Sequence, residues 1–257
     1  MTSPTDSTPL PSERPSSPSW RSRLGTTIAI QAQRRSWGSR AETWDRHNDF
    51  GMAKVANKAM ASVDLRPGMD CVDLGCGTGR LALQLAEGGA NVTGVDLDAA
   101  MIGRLQAQAA ERGLDAVRSI ITPIERLSLP SSSVDLVITN YALHHLRDAD
   151  KESVVRSAFD WLRPGGQLVV ADMMLGRGTS ARDREIIVRK VRIMAQKGLP
   201  GYWRILKNAG RFLFRLKERP ITSDSWNRLF ESAGFDNIEC ALVAAEAAVV
   251  TGVKPDG

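Results

Sequence analysis

From residue 70 onward, apolar positions along the chain follow two periods in turn. Short apolar runs, the signature of buried strands, occur at Cys71–Leu74, Val92–Val95, Val117–Ile121, Val134–Thr139 and Gln167–Ala171. Between them lie stretches of helical period: Arg80–Glu87, Ala99–Arg112 and Lys151–Leu162. Strict alternation of the two predicts an α/β, doubly wound, largely parallel sheet covered on both faces. Pro164-Gly165-Gly166 is expected to stop the third helix before its strand. The pattern changes at Gly176, where a long mixture of basic and apolar residues runs to Pro220. A helix capped by Ser223 or Asp224 is predicted to follow and to reach Ala233. Two last strand-like runs, Asn237–Val243 and Ala247–Gly252, are close enough to pair as a hairpin. There is no internal repeat.

Composition divides the rest. Residues 1–19 contain five Pro, six Ser and three Thr, too little apolar surface to offset the entropy of ordering, so a disordered tail is expected. Trp20 to Glu42 is basic and is expected to form an N-terminal helix. The resulting division is a tail (1–19), a helical lid segment (20–66), a core (67–176), a basic helical insertion (177–220), and a final helix with a hairpin completing the core (221–257). The longest apolar stretch, Ala241 to Val250, carries Glu246 and falls short of the roughly 18 residues of a membrane span. Leu24–Gln33 and Arg34-Arg35 lack the flanking pattern of an export signal. Three cysteines in irregular positions suit neither a disulfide framework nor a zinc cluster, and no metal site is expected. A reduced, cytoplasmic setting is the expectation.

Net charge is +5, unevenly distributed: residues 177–219 hold thirteen Lys/Arg against Asp183, Glu185 and Glu218, so the remainder of the chain is acidic overall. A basic segment on an acidic protein calls for an anionic partner or surface.

The candidate chemistry begins where the first predicted strand turns into the first helix, at Val72-Asp73-Leu74-Gly75-Cys76-Gly77-Thr78-Gly79-Arg80. Glycines there remove Cβ atoms and let a ligand lie against backbone amides at a helix N-terminus. Gly94-Val95-Asp96 ends the second strand, so Asp96 stands where a carboxylate accepts hydrogen bonds from ribose hydroxyls, beside the glycine turn at the carboxyl edge of the sheet. The third glycine comes one residue too early for a dinucleotide fingerprint, and Arg80 fills the expected place. Asp73 would repel a pyrophosphate but attract a free amino group. The ligand implied carries an ammonium and no phosphate.

These residues resemble the class I S-adenosylmethionine-dependent methyltransferases. The likeness extends through Leu127-Ser128-Leu129-Pro130-Ser131-Ser132-Ser133-Val134-Asp135-Leu136-Val137, Ala142-Leu143-His144-His145-Leu146 and Leu162-Arg163-Pro164-Gly165-Gly166. It covers Trp44–Ala171 well and the terminal hairpin loosely, and resembles the branch acting on small molecules, quinones and lipids. The resemblance implies a Rossmann-like sheet of seven strands in the order 3-2-1-4-5-7-6, strand 7 antiparallel, with a helical insertion between strands 5 and 6. It implies S-adenosylmethionine as cofactor and S-adenosylhomocysteine as product. Asp73, Gly75 and Gly77 would hold the methionine moiety and Asp96 the ribose, with Cys76 and Gly79 also in the cofactor-binding loop and Leu97 and Met101 bordering the adenine. Asn140 and Tyr141 would face the sulfonium, and Trp44 stands where relatives often carry a tyrosine that closes over the cofactor. Relatives commonly place an acid after the third strand to read the adenine amino group. Pro123 occupies that place here, leaving either Glu125 or the backbone around Ile124 for the contact.

Methyl transfer from a sulfonium needs alignment of the acceptor and, for oxygen or nitrogen nucleophiles, a general base. The chain has three histidines. His144 and His145 follow the fourth strand at the active edge, and as neighbours pointing in different directions only one is expected to reach a pocket. The other reading is a structural histidine bonded to nearby backbone. His47 sits in a segment that could fold over the site. The place of an Asn-Pro-Pro-Tyr run reads Asn140-Tyr141-Ala142-Leu143, which argues against methylation of nucleobase or glutamine amines. In the insertion, Ile205, Ala209, Phe212 and Leu216 make an apolar stripe flanked by Arg204, Lys207, Arg211 and Arg215. It reads as a cap over an acceptor pocket, as a helix resting on an anionic membrane surface, or, least supported, as a nucleic-acid patch. The reading is a methyltransferase acting by in-line displacement on a small, apolar or lipid-like acceptor, with no obligate protein partner. The alternatives are a membrane-associated cofactor-binding protein without turnover, or an RNA methyltransferase.

Overall fold

The computed structural model describes residues 50–176, 184–185, 188, 191–192, 219–244 and 246–256. Elements in chain order are α1 (Phe50–Met60), β1 (Asp70–Leu74), α2 (Arg80–Glu87), β2 (Asn91–Asp96), α3 (Ala99–Glu111), β3 (Val117–Ile121), β4 (Val134–Asn140), α4 (Asp148–Trp161), β5 (Leu162–Met173), α5 (Ser223–Ala233), β6 (Asp236–Ala244) and β7 (Ala247–Val253). Short 3-10 turns at Ile124–Arg126 and Leu143–His145 follow β3 and β4.

The seven strands form one sheet ordered β3-β2-β1-β4-β5-β7-β6, in which β7 runs antiparallel to both β5 and β6 and the other pairs are parallel. Successive side chains of a strand face opposite ways, and here the two faces feed separate cores. Cys71, Leu136, Ile138, Val169 and Ala171 pack with Val55 and Ala59 of α1, Leu81 and Leu85 of α2, and Leu105 of α3. The intervening Val72, Val137, Leu168 and Val170 pack with Val154, Ala158 and Trp161 of α4 and with Trp226 and Phe230 of α5. Largely apolar runs are what a strand covered on both faces requires, and the exceptions, such as Asp73 in β1 and Asp135 in β4, are hydrogen-bonded or ion-paired.

Element limits moved slightly from the pattern-based expectation. β5 begins at Leu162, directly after α4, so its pairing with β4 starts at Val134↔Leu162 and shifts register before Leu136↔Gln167. The cap of α5 is Thr222 rather than Ser223 or Asp224, because its Oγ1 accepts the Ser225 amide at 3.2 Å. The predicted tail and the N-terminal helix over Trp20–Glu42 lie outside the described residues.

Parallel strands bring their carboxyl ends to one edge, and the register aligns Asp73 of β1 with Gly94 of β2 and Ile138 of β4. Thr139 Oγ1 donates to Leu74 O at 2.8 Å, which ties β4 to β1 where both strands end. The turns leaving β1, β2, β3 and β4 therefore meet around one space.

Candidate active site

The glycine turn is locked to the end of β2. Gly75 N and Cys76 N both donate to Val95 O, at 2.7 and 3.0 Å, and Gly79 N closes the turn on Cys76 O at 2.9 Å. Gly75 and Gly77 hold φ of +71° and +55°. A Cβ on Gly75 would stand 2.4 Å from Ala142 Cβ, whereas one on Gly77 would meet nothing within 4 Å. Two glycines of the same turn thus have different reasons to be glycine: close approach of the β4 turn at Gly75, and a left-handed backbone beside open space at Gly77.

Asp96 is oriented by the same turn. Its Oδ2 accepts the Gly77 amide at 2.9 Å and its Oδ1 accepts the Asp98 amide at 2.9 Å. Asp98 in turn caps α3, accepting from Ala100 N at 2.8 Å and Met101 N at 3.3 Å. Burial pushes the Asp96 carboxyl above its usual range, opposed by the amides of Asp98 and Gly77. Asp73 lies almost fully buried on the face toward α2 and accepts the Ala82 amide at 3.1 Å. Burial, with the Asp96 charge as a smaller contribution, pushes Asp73 up to about 7.

A cavity of about 140 Å³ opens over these groups. Its floor is Asp73, Gly75, Cys76 and Gly77; Asp96, Leu97 and Met101 form one side, and Ile124 and Glu125 another. Asn140, Tyr141 and His145 close it from the β4 end. Twelve of the sequence-derived residues therefore share one space. Gly79 does not line it. It supplies the left-handed residue before α2 and leaves room for Leu105, whose Cδ1 would lie 2.3 Å from a Cβ there. Trp44 and His47 lie outside the described residues, as does most of the stretch 177–218. Met52, Thr78, Arg80, Leu81, Ala142 and Leu146 also border the cavity and had not been singled out. Met52 belongs to α1, whose place over the sheet no local pattern announces.

Three features bear on chemistry. Asn140 Oδ1 is buried without a hydrogen-bond partner, which is costly unless a ligand N–H or O–H meets it. Tyr141 holds φ of +53°, a left-handed conformation that costs about 1 kcal/mol in a non-glycine residue; its amide is fastened to Ala171 O at 2.9 Å. Burial, with Glu246 and Asp172 nearby, pushes the Tyr141 phenol up to about 12, so it is a donor rather than a base. The third feature is a division of labour between the histidines. His145 lines the cavity, while His144 is buried behind it with Nδ1 2.6 Å from Asp172 Oδ1. The two rings are 4.0 Å apart between centroids, tilted by 48°. Asp172, in β5, was not read as a site residue. Its flanks are apolar, Val169-Val170-Ala171 before and Met173-Met174 after, and a lone acid at the end of a buried run was the available signal.

The Cys76 thiol is pushed well above its usual range by burial, so it packs and does not react. Among the described residues no group of His, Cys, Asp and Glu could hold a metal ion, and no helix is long and apolar enough to cross a membrane.

Residues 71–166 match the family described as a methyltransferase domain. The chain is 27% identical over 170 residues to phosphoethanolamine N-methyltransferase 1 of Zea mays, an alignment covering 65% of this chain and 32% of that protein. It is 36% identical over 119 residues to an uncharacterized methyltransferase of Mycobacterium bovis, covering 46% of this chain and 58% of that one. The chain thus spans about a third of the maize enzyme and under two thirds of the mycobacterial protein. In fold it is similar to the 1,6-didemethyltoxoflavin-N1-methyltransferase of Burkholderia thailandensis, solved with 1,6-didemethyltoxoflavin and S-adenosylhomocysteine. The TM-score is 0.64 and the identity 17%, with 94% of this chain and 93% of that one covered. Sheet order and domain match agree: residues 71–166 match a methyltransferase domain, set in a sheet of the order that the resemblance to class I S-adenosylmethionine-dependent methyltransferases implied.

Proposed function

We propose that this protein transfers a methyl group from S-adenosylmethionine to a small-molecule acceptor. The observation that carries the reading is the joint arrangement of Gly77 and Asp96. A carboxylate with both oxygens fixed by backbone amides stands beside a glycine turn that is open to the cavity.

The residues present fit the cofactor. Asp96 would accept from the ribose hydroxyls, Leu97, Met101 and Ile124 would flank the adenine, and Glu125 or the backbone at Ile124 would read its amino group. Asp73 supplies the negative charge that an ammonium needs, and the orphaned Asn140 Oδ1 needs a donor of the kind an ammonium presents. When bound, the cofactor supplies an electrophilic methyl group on a sulfonium. The chain's part is then to bind, align and manage a proton. Tyr141 and Leu146 wall the acceptor side, and His145 takes the acceptor proton as general base. His144, held by Asp172, backs the His145 ring. Gly75, Cys76 and Gly79 shape the turn, and Trp44 would close over it.

The acceptor's class is read as apolar or lipid-like. Support comes from the apolar stripe within the basic insertion, residues 177–220. Val188 and Val191 are exposed there together with Arg184, Glu185 and Arg192, an apolar and net basic combination suited to an anionic lipid surface. The maize relative, named for phosphoethanolamine, keeps a polar headgroup acceptor in view.

Calorimetric titration with S-adenosylmethionine tests cofactor binding, and no heat from the folded protein would sink the proposal. Incubation of lipid, quinone and polar-metabolite extracts with methyl-labelled cofactor then identifies the acceptor. Label confined to the polar fraction removes the lipid-like class.

A further inference from the structure

Lys151 of α4 is fully buried, an unusual place for an ammonium. Such a group is tolerated only when its three N–H donors are engaged. Lys151 Nζ donates to Leu146 O and Arg219 O, each at 2.7 Å, and to Asp148 Oδ1 at 3.2 Å. Asp148 is half exposed, so the two carbonyls are its buried partners. Leu146 closes the 3-10 turn that carries His144 and His145, and it also lines the cavity. Arg219 returns the contact, its amide donating to His144 O at 2.6 Å. The Arg219 residue is thus gripped at both ends, N–H by the histidine turn and C=O by Lys151. Because a buried apolar side chain of similar volume commonly stabilises as well as a buried charge does, stability alone does not account for the lysine.

We infer that Lys151 is a positioning residue: through Leu146 O and the Arg219 peptide it fixes the His144–His145 turn, and so sets the direction of the imidazole facing the cavity. Its catalytic consequence rests on the methyl-transfer reading; the tie itself does not. Asp172 acts on the same turn from the β5 side through the His144 ring and amide. The turn is therefore held from two directions, and loss of either hold frees the other to reorient it.

The test is nuclear magnetic resonance of protein labelled with carbon-13 at histidine Cε1. Three histidines give three signals, assigned with His47→Gln and His145→Gln. Lys151→Met removes the tie. Arg219→Pro removes the amide that meets His144 O, since proline has no N–H, together with the guanidinium. Arg219→Ala, which keeps the amide, is the control expected to match the parent. Asp148→Asn changes a neighbouring charge and leaves the tie in place. Lys151→Met and Arg219→Pro are expected to displace the His144 and His145 signals and their titration midpoints, with Asp148→Asn superimposing on the parent. A lysine that only stabilised the fold would lower the melting temperature and leave the midpoints unmoved. Parent-like signals in folded Lys151→Met overturn the inference, and so does equal displacement in Asp148→Asn. Should Lys151→Met not fold, parent-like signals in Arg219→Pro overturn it. Calorimetry with S-adenosylhomocysteine runs alongside. No binding by the parent defeats the methyl-transfer reading and leaves the histidine comparison intact.

Discussion

Asp172 holds His144 with both carboxylate oxygens, Oδ1 at 2.6 Å from the ring Nδ1 and Oδ2 at 2.8 Å from the backbone amide. The Met173 amide adds a third donor to Oδ1 at 2.7 Å. A carboxylate so surrounded by donors fixes both the ring and the turn that carries it, and it leaves His145 as the imidazole at the cavity. The pair joins the end of β4 to β5, so the site's histidines are set by the sheet rather than by a free loop.

Replacing Asp172 with Ala removes the acceptor for three donors at once, the buried His144 ring and amide and the part-buried Met173 amide. The expected loss of stability is about 3 kcal/mol, the usual cost of breaking a buried charge-assisted network. Urea unfolding of the parent and the variant measures it. A loss within experimental error would mean that the His144 turn is held elsewhere.

Asp96→Ala tests the ribose site. Hydrogen bonds to a charged acceptor are worth about 1.5–3 kcal/mol, so affinity for S-adenosylhomocysteine should fall roughly 10- to 100-fold. The fold should survive, because the Gly75 and Cys76 amides keep their bonds to Val95 O. Calorimetry reads the affinity, and equal affinities would remove Asp96 from the site.

Asp73 predicts a pH dependence of definite sign. Its folded-state carboxyl lies at about 7 against an ordinary value of 3.8. Between those values the folded protein binds the extra proton, so this group's contribution to stability falls as pH rises through that window and is fully lost above about 7. An ammonium placed beside it favours the charged form. Affinity for S-adenosylmethionine should therefore rise with pH up to about 7, by at most about tenfold per unit, with proton release on binding below that point. Titrations at pH near 6 in buffers of different ionisation heat detect the proton. Asp73→Asn should abolish its release, and release that persists would assign it to Asp96, whose carboxyl burial also raises.

The two cavity-lining glycines should respond differently to alanine. Gly75→Ala drives a Cβ to 2.4 Å from Ala142 Cβ at a left-handed φ, and should cost about 2–4 kcal/mol and displace the β4 turn. Gly77→Ala meets no protein atom within 4 Å and should cost only the left-handed backbone penalty of about 1–2 kcal/mol. Thermal unfolding ranks them. Equal losses would mean that the β4 turn yields to Gly75→Ala.

Much of this protein was legible in its sequence because the physics involved is local. The two-sided apolar runs of Val92–Val95 and Val134–Thr139 mark covered strands, and the crowded glycines of residues 75–79 mark a turn where backbone meets ligand. The resemblance carried by those motifs implied the strand order that the structure has. Asp96 followed from its place at the end of the second strand. What it does not reveal locally is that the Gly77 amide, 19 residues away, orients it.

Other parts depended on groups far apart in sequence. Thr222 rather than Ser223 caps α5, a choice among adjacent hydroxyls that turns on backbone direction. His144 and His145 are equivalent as letters. Asp172, 28 residues beyond His144, decides which one is buried and which one faces the cavity. Gly79 belongs to the motif yet serves packing against Leu105. In sequence Lys151 is only the first residue of a helical stretch; its role needs Arg219, 68 residues later, brought against it.

By itself, then, the sequence determined the alternation of strands and helices, the glycine turn and the acid beside it, since periodicity and backbone freedom act over a few residues. Only the tertiary structure decided which histidine meets the cavity and what holds it there. Those contacts come from Asp172, Lys151 and Arg219, and chain folding alone brings such distant residues within hydrogen-bond reach.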